Sequence, residues 1–168
     1  LLIFDEMQLA PSRTGKMWGF EHYGVQPDIV TFGKGISAGF AICGTVTSQE
    51  IVDKCKGNKG LPWAGTYSND PLPAAVALKQ LQIVIRENLT EHSARVGDIL
   101  EQKLVALQNS HECIGDVRGH GLYRMLDIVV DRKSRTANPE LAERIRREAM
   151  LEGIVMIAVK NFMRICPP

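Results

Sequence analysis

The sequence predicts an α/β protein in two parts, the end of a doubly wound domain followed by a smaller α+β domain. Three patterns carry that expectation. One short unbroken apolar run, LLIF at 1–4, reads as a strand covered on both faces, the habit of parallel sheets, and IVTF at 29–32 reads as a second strand. Apolar residues then recur near the 3.6 period through the middle of the chain, the mark of helices. In the last third, glycine-punctuated strand signals alternate with one further helix, which moves the class towards α+β.

The elements follow in order. Leu1 to Phe4 is the first strand, and QLAPSRTGKMWGFEHYGVQP, rich in turn formers, is expected to be a loop with a short helix. Ile29 to Phe32 is a strand that runs into a glycine-rich turn, and FAICGTVTS gives another short strand. Ser48-Gln49-Glu50 opens a short amphipathic helix. SNDPLPAAVALKQLQIVIREN reads as a helix entered through polar caps and prolines, with Val76, Leu78, Leu81 and Ile85 as its apolar face. Asn88-Leu89-Thr90 interrupts it, and Thr90 can cap a second helix with Val96, Ile99, Leu100, Leu104 and Leu107 on one side. CIGDVRGHGLYRMLDIVV is expected to be a glycine-punctuated loop and then a strand. Asn138-Pro139 caps a third helix carrying Leu141, Ile145 and Ala149, which Gly153 ends. Ile154 to Val159 and Phe162 to Ile165 complete two short strands. The expected domains are therefore 1–89 and 90–168. Beginning on Leu1 inside a strand and stopping at Pro167-Pro168, the chain reads as a piece of something longer.

Composition narrows the function classes. With 168 residues, 45% of them apolar and 23% charged, this is the make-up of a globular protein with a sizeable core. Twenty basic residues are interleaved with nineteen acidic ones for a net charge of +1, so no basic stripe offers phosphate neutralisation and no nucleic-acid partner is expected. No apolar run approaches the length that spans a bilayer, and no membrane partner is expected. Cys43, Cys55, Cys113 and Cys166 form no CxxC pair or zinc spacing and read as reduced, buried thiols of a cytoplasmic protein, with organellar targeting left open.

The chemistry centres on LLIFDEMQ. Four apolar residues running into two acids is how the metal-binding strand of an ATPase reads, and also how a cofactor strand reads in other α/β enzymes. Successive strand side chains point to opposite faces, so Asp5 and Glu6 have separate jobs. An ATPase also needs GxxxxGK[ST], and the one candidate turn, Phe32-Gly33-Lys34-Gly35, lacks both the upstream glycine spacing and the hydroxyl residue after the lysine. Lys34 follows a strand directly, at the edge where open α/β sheets take ligands. A lysine set among small neighbours suits a Schiff-base nucleophile. A solvated loop lysine is the other reading, and Lys34 alone does not separate the two.

The combination does more. LLIFDEMQ, SRTGKMWGFEHYGVQPDIVTFGKGISAG, GTYSNDPLPAAVAL, IGDVRGHGL and RICPP together resemble the class-III aminotransferases, fold-type-I pyridoxal-phosphate enzymes. Within them, SNDPLPAAVAL, ECIGDVRGHGL, the DRKSRTAN stretch and FMRICPP look most like the 2,2-dialkylglycine decarboxylases. The chain departs from the family pattern at Leu9-Ala10-Pro11-Ser12, at Ala41, and at Arg124-Met125-Leu126, where a strand is usually apolar.

The resemblance implies the C-terminal part of the cofactor-binding large domain and most of a small C-terminal domain. It puts Asp5 against the pyridine nitrogen, Gln8 on the cofactor's phenolic oxygen and Lys34 on its aldehyde. Thr66 would reach the phosphate in the neighbouring subunit, hence a homodimer or a dimer of dimers, and Arg164 would clamp the substrate carboxylate. Thr66, Ser68 and Asp70 match the loop that holds a monovalent cation, K⁺ or Na⁺, in the decarboxylases. Asp70 precedes Pro71 and can equally cap the helix. The activity implied is decarboxylation of a 2,2-dialkylglycine with ketone release, then amino transfer to pyruvate. A plain ω-aminotransferase, an inactive truncated homologue and, last, an ATPase are the alternatives.

Overall fold

The computed structural model describes residues 1–56, 65, 67–68 and 70–168. Two compact units emerge, one of residues 1–12 and 16–90, the other of 13–15 and 91–168.

The first unit holds a three-stranded sheet in the order β1–β2–β3, from β1 (Ile3–Asp5), β2 (Ile29–Gly33) and β3 (Cys43–Thr47). β1 and β2 run parallel, with Asp5 beside Thr31; β3 is antiparallel to β2. The stretch between β1 and β2 is a run of turns with one 3-10 helix, Gly19–Tyr23, as its composition predicts. Aromatic rings hold it to the strands: Phe20 meets Phe4 edge-on at 5.8 Å, and Trp18 stacks near Phe20 at 6.2 Å and meets Phe32 edge-on at 6.1 Å. After β3 comes α1 (Gln49–Lys56), where the Ser48 hydroxyl accepts the Ile51 N–H.

α2 (Pro71–Arg86) starts at Asp70, whose carboxylate accepts the Leu72 N–H, with prolines in the first turn where no N–H is needed. Its buried residues are Pro73, Ala77 and Val84, while Leu78 and Ile85 of the expected apolar face are exposed. Small residues win the inner face because α2 packs closely on a 3-10 turn, Lys34–Ser37, whose Ile36 and Ser37 are buried. α3 (Leu89–Ser110) begins one residue before Thr90. Thr90 is thus inside the first turn rather than a cap, and its hydroxyl lies 2.7 Å from that of Ser12.

The second unit is a four-stranded sheet, order β4–β5–β7–β6, antiparallel throughout: β4 (Ile114–His120), β5 (Tyr123–Ile128), β6 (Ile157–Val159) and β7 (Phe162–Ile165). The expected loop before β5 is in fact β4, which forms a tight hairpin with β5. Its glycines mark close approaches rather than a loop, since a Cβ on Gly115 would meet the Val129 side chain at 2.8 Å. α3 buries Ser93, Gly97 and Leu104, whereas Ile99 and Leu107 face outwards. That inner ridge is chosen by Gly97, where a Cβ would stand 2.3 Å from the Gly121 backbone in the hairpin turn.

α4 (Pro139–Leu151) is capped by Asn138, which accepts the Leu141 N–H. Ile154, expected in a strand, instead donates its N–H to Ala149 in the helix stop, so β6 begins only at Ile157. Leu104, Ile114, Leu126, Ile128, Ala142 and Met163 form the core, and Leu100 of α3 with Leu141 and Ile145 of α4 pack against it. Among the described residues, no helix is long and apolar enough to cross a membrane; all four cysteines are free, but none is buried as expected, Cys43 and Cys55 being exposed and Cys113 and Cys166 half-buried.

Candidate active site

Asp5 ends β1, and Lys34 follows β2 three positions beyond Thr31, the register partner of Asp5. Both residues are exposed at the C-terminal edge of one parallel strand pair. The Asp5 Oδ1 accepts the Met7 N–H at 3.0 Å and the Thr31 hydroxyl at 3.3 Å, which fixes the carboxylate's rotamer. Gln8 is exposed three residues beyond Asp5, in the turn that leaves the strand. Lys34 holds a left-handed backbone, φ +45°, a conformation that costs an L-residue about 1 kcal/mol. Gly33 before it is buried, and a Cβ there would strike the Met7 sulfur at 2.6 Å. The lysine turn therefore lies close against the segment that carries Asp5 and Gln8.

Glu6 has a job that the sequence did not reveal. Its carboxylate is fully buried and accepts the N–H groups of Gly19 at 3.0 Å and Phe20 at 2.9 Å. These are orphan donors at the start of the 3-10 helix, where an anion is favoured. One acid thus ties down the long loop while its neighbour, on the other face, stays open to solvent. The signal available was the acid itself: a carboxylate following a buried strand needs N–H partners, and the glycine of WGF offers one.

Of the expected cation loop, Thr66 lies outside the described residues. Ser68 donates its hydroxyl to the Gly65 carbonyl at 2.6 Å, and Asp70 caps α2 as described. Among the described residues, no group of three or more His, Cys, Asp or Glu could hold a metal ion.

In the second unit Arg164 sits in β7 between Met125 of β5 and Ile157 of β6, half-buried. Arg124, unusual for its strand, is 3% exposed and fully engaged. It donates to the carbonyls of Gly121, Gly119 and Gly97 and pairs with Glu101 at 2.9 Å, so it staples α3 to the β4–β5 hairpin. A buried cation with that many acceptors is a structural device, and truncating it would leave the carbonyls of Gly97, Gly119 and Gly121 without this donor.

The class-III aminotransferase family model matches residues 1–168, the entire chain. The chain belongs to the class-III aminotransferases. It is 37% identical to "Alanine--glyoxylate aminotransferase 2 homolog 2, mitochondrial" of Arabidopsis thaliana over 100% of this chain and 35% of that one. It is 41% identical to "Ethanolamine-phosphate phospho-lyase homolog 1" of Caenorhabditis elegans over 84% of this chain and 31% of that one. The crystal structure of a transaminase from the marine bacterium Virgibacillus superposes with a TM-score of 0.90 at 34% identity, covering 99% of this chain and 40% of that one. The chain therefore spans well under half of each of these relatives.

Class-III aminotransferases depend on pyridoxal phosphate, and the residues here fit it. An acid at the end of one strand, an amide just beyond it and an amine at the end of the next suit a protonated ring nitrogen, a phenolic oxygen and an aldehyde carbon, all on one sheet edge. The fold is the α/β fold of these transaminases.

Proposed function

We propose that this chain carries the cofactor lysine, the ring-nitrogen acid and the carboxylate clamp of a pyridoxal-phosphate-dependent aminotransferase acting on small amino acids and 2-oxo acids. The observation behind this reading is the pairing of Asp5 and Lys34 at the C-terminal edge of two adjacent parallel strands. Bound pyridoxal phosphate supplies an electron-poor ring that takes up the pair left when a bond to the substrate's α-carbon breaks. Asp5, its Oδ1 held by Met7 and Thr31, would keep the pyridine nitrogen protonated. Gln8 would donate its amide to the phenolic oxygen. The Lys34 amine would hold the cofactor through its aldehyde carbon. The same amine, once free, would be the base that takes and returns a proton at the substrate's α-carbon. Arg164 grips the substrate carboxylate with a bidentate fork, and Thr66 reaches the phosphate across a homodimer or a dimer of dimers. A cytoplasmic setting goes with this reading, in keeping with four free thiols.

Incubation with pyridoxal phosphate, borohydride reduction and peptide mapping test it. The label is expected on Lys34 and absent in Lys34→Ala, with amino transfer down by about 10²–10⁴-fold or more. Label scattered over other lysines would sink the assignment.

The narrower reading is that a 2,2-dialkylglycine loses its carboxylate as CO₂ before the amino group passes to pyruvate. It rests on the resemblance of SNDPLPAAVAL, ECIGDVRGHGL and FMRICPP. K⁺ or Na⁺ held by Thr66, Ser68 and Asp70 belongs to this reading, the Asp70 carboxylate serving as cap and ligand together. CO₂ release from 2-aminoisobutyrate, and its dependence on K⁺ against Na⁺, is the measurement. Amine transfer to pyruvate without CO₂ leaves the plain aminotransferase. The 41% identity to a protein named for ethanolamine-phosphate lysis supports a second reading, elimination of phosphate from an amino-alcohol phosphate, with Lys34 taking the proton. Phosphate release from ethanolamine phosphate distinguishes it.

A further inference from the structure

The second unit contains a polar network that none of the roles above uses. Asn161, in the β6–β7 turn and 8% exposed, has its backbone carbonyl and its side chain committed to β5. Its carbonyl accepts the Ile128 N–H at 2.8 Å, and its Nδ2 donates to Asp127 Oδ1 at 2.5 Å. The other oxygen of Asp127 faces the Arg118 guanidinium at 3.6 Å. Arg118 also pairs with Asp116 at 3.3 Å and lies over the Phe162 ring, 5.5 Å from its centroid. Register pairs share a sheet face. Asp127 opposes Phe162, and Met125 opposes both Arg118 and Arg164, so these residues all stand on the face opposite the core that holds Leu126 and Met163.

A strand that slips by one residue turns all its side chains to the other face. β7 has only four residues, and Arg164 is its third. Within the strand, Met163 in the core and Ile165 packed against it set which face is buried, and the start of so short a strand still needs an anchor on β5. The bond from Asn161 to Asp127 grips the chain one residue before β7 starts, and Arg118 seats the first side chain, Phe162, beside the same carboxylate. We propose that Asp127, held by Arg118 and Asn161, is the positioning residue for Arg164: it fixes the strand that aims the guanidinium at the substrate carboxylate. This rests on the assignment of Arg164 as the carboxylate clamp.

The test compares alanine with 2-aminopropane, the same amine without its carboxylate, in single-turnover half-reactions of the protein loaded with pyridoxal phosphate. Arg164→Ala should lower the efficiency with alanine at least tenfold and leave 2-aminopropane unchanged. Asp127→Ala should reproduce that split, raising the half-saturating alanine concentration without altering the cofactor's absorbance, and the double variant should be no worse than Arg164→Ala. Arg118→Met, a change at a half-exposed side chain, should move the same ratio in the same direction, which keeps the proposal testable if Asp127→Ala does not fold. If Arg164→Ala affects both amines alike, the clamp reading fails and the proposal with it. If Arg164→Ala discriminates but the Asp127 and Arg118 variants change both amines equally, or neither, the positioning role alone is overturned.

Discussion

Asp5 and Glu6 are neighbours with opposite fates, and the pleat of one short strand separates them. Asp5 stays exposed at the sheet edge; Glu6 is sealed in, where a carboxylate survives only with N–H donors against both oxygens. Glu6→Ala removes the acceptor for two backbone N–H groups and is expected to cost about 2–4 kcal/mol, with Glu6→Gln, which keeps one acceptor oxygen, costing about half as much. Urea melts read this directly, and an unchanged midpoint for Glu6→Ala would contradict it. Lys34 shows the converse. Its left-handed backbone is unfavourable by itself and persists because Gly33 and the packed Ile36 and Ser37 leave the turn no other course.

At the scale of elements, the helices are written clearly in the sequence but their inner faces are not. α3 could bury any of several apolar ridges; it buries the one containing Gly97, because the helix axis must come within touching distance of the Gly121 turn. Glycine to alanine inside a helix ordinarily gains about 1 kcal/mol. Gly97→Ala is expected to lose about 1–3 kcal/mol instead, since a methyl 2.3 Å from backbone must force α3 off the hairpin. A raised melting temperature would refute this. In α4, hydrogen bonds from Arg146 and then Arg147 hold Glu143 down to about 2, below its ordinary 4.5. A carboxyl depressed in the folded state adds stability above 4.5 and loses it as the pH falls through 2. The stability difference between the native protein and Glu143→Gln should therefore be present at about pH 6 and shrink towards about pH 2.5 in paired thermal melts. It should also weaken in high salt, as exposed pairs do.

For the molecule as a whole, the most deeply buried apolar side chains, Ile128, Val129 and Met163, all belong to the second unit. In the 168-residue chain the slowest-exchanging amides are expected in β5 and β7, and those of β1, where Ile3 is 59% exposed, should exchange sooner. Exchange mass spectrometry checks the order; β1 outlasting β5 would overturn it. The sequence by itself determined the helices and most strands, the glycine-flanked lysine and the family. Those are local patterns: a period of 3.6 or an apolar run is complete within one element, and FDE…FGKG needs no distant partner to be read. Only the tertiary structure decided that Glu6 is buried, that β4 is a strand, that Arg124 is a staple, and that α2 and α3 turn their small residues inwards. Glu6 depends on Phe20 and Arg124 on Glu101, groups brought close from another element, while β4 depends on its hairpin partner β5, with Val117 opposite Leu126. Burial is a property of the pair, and the local pattern of either member does not reveal the other.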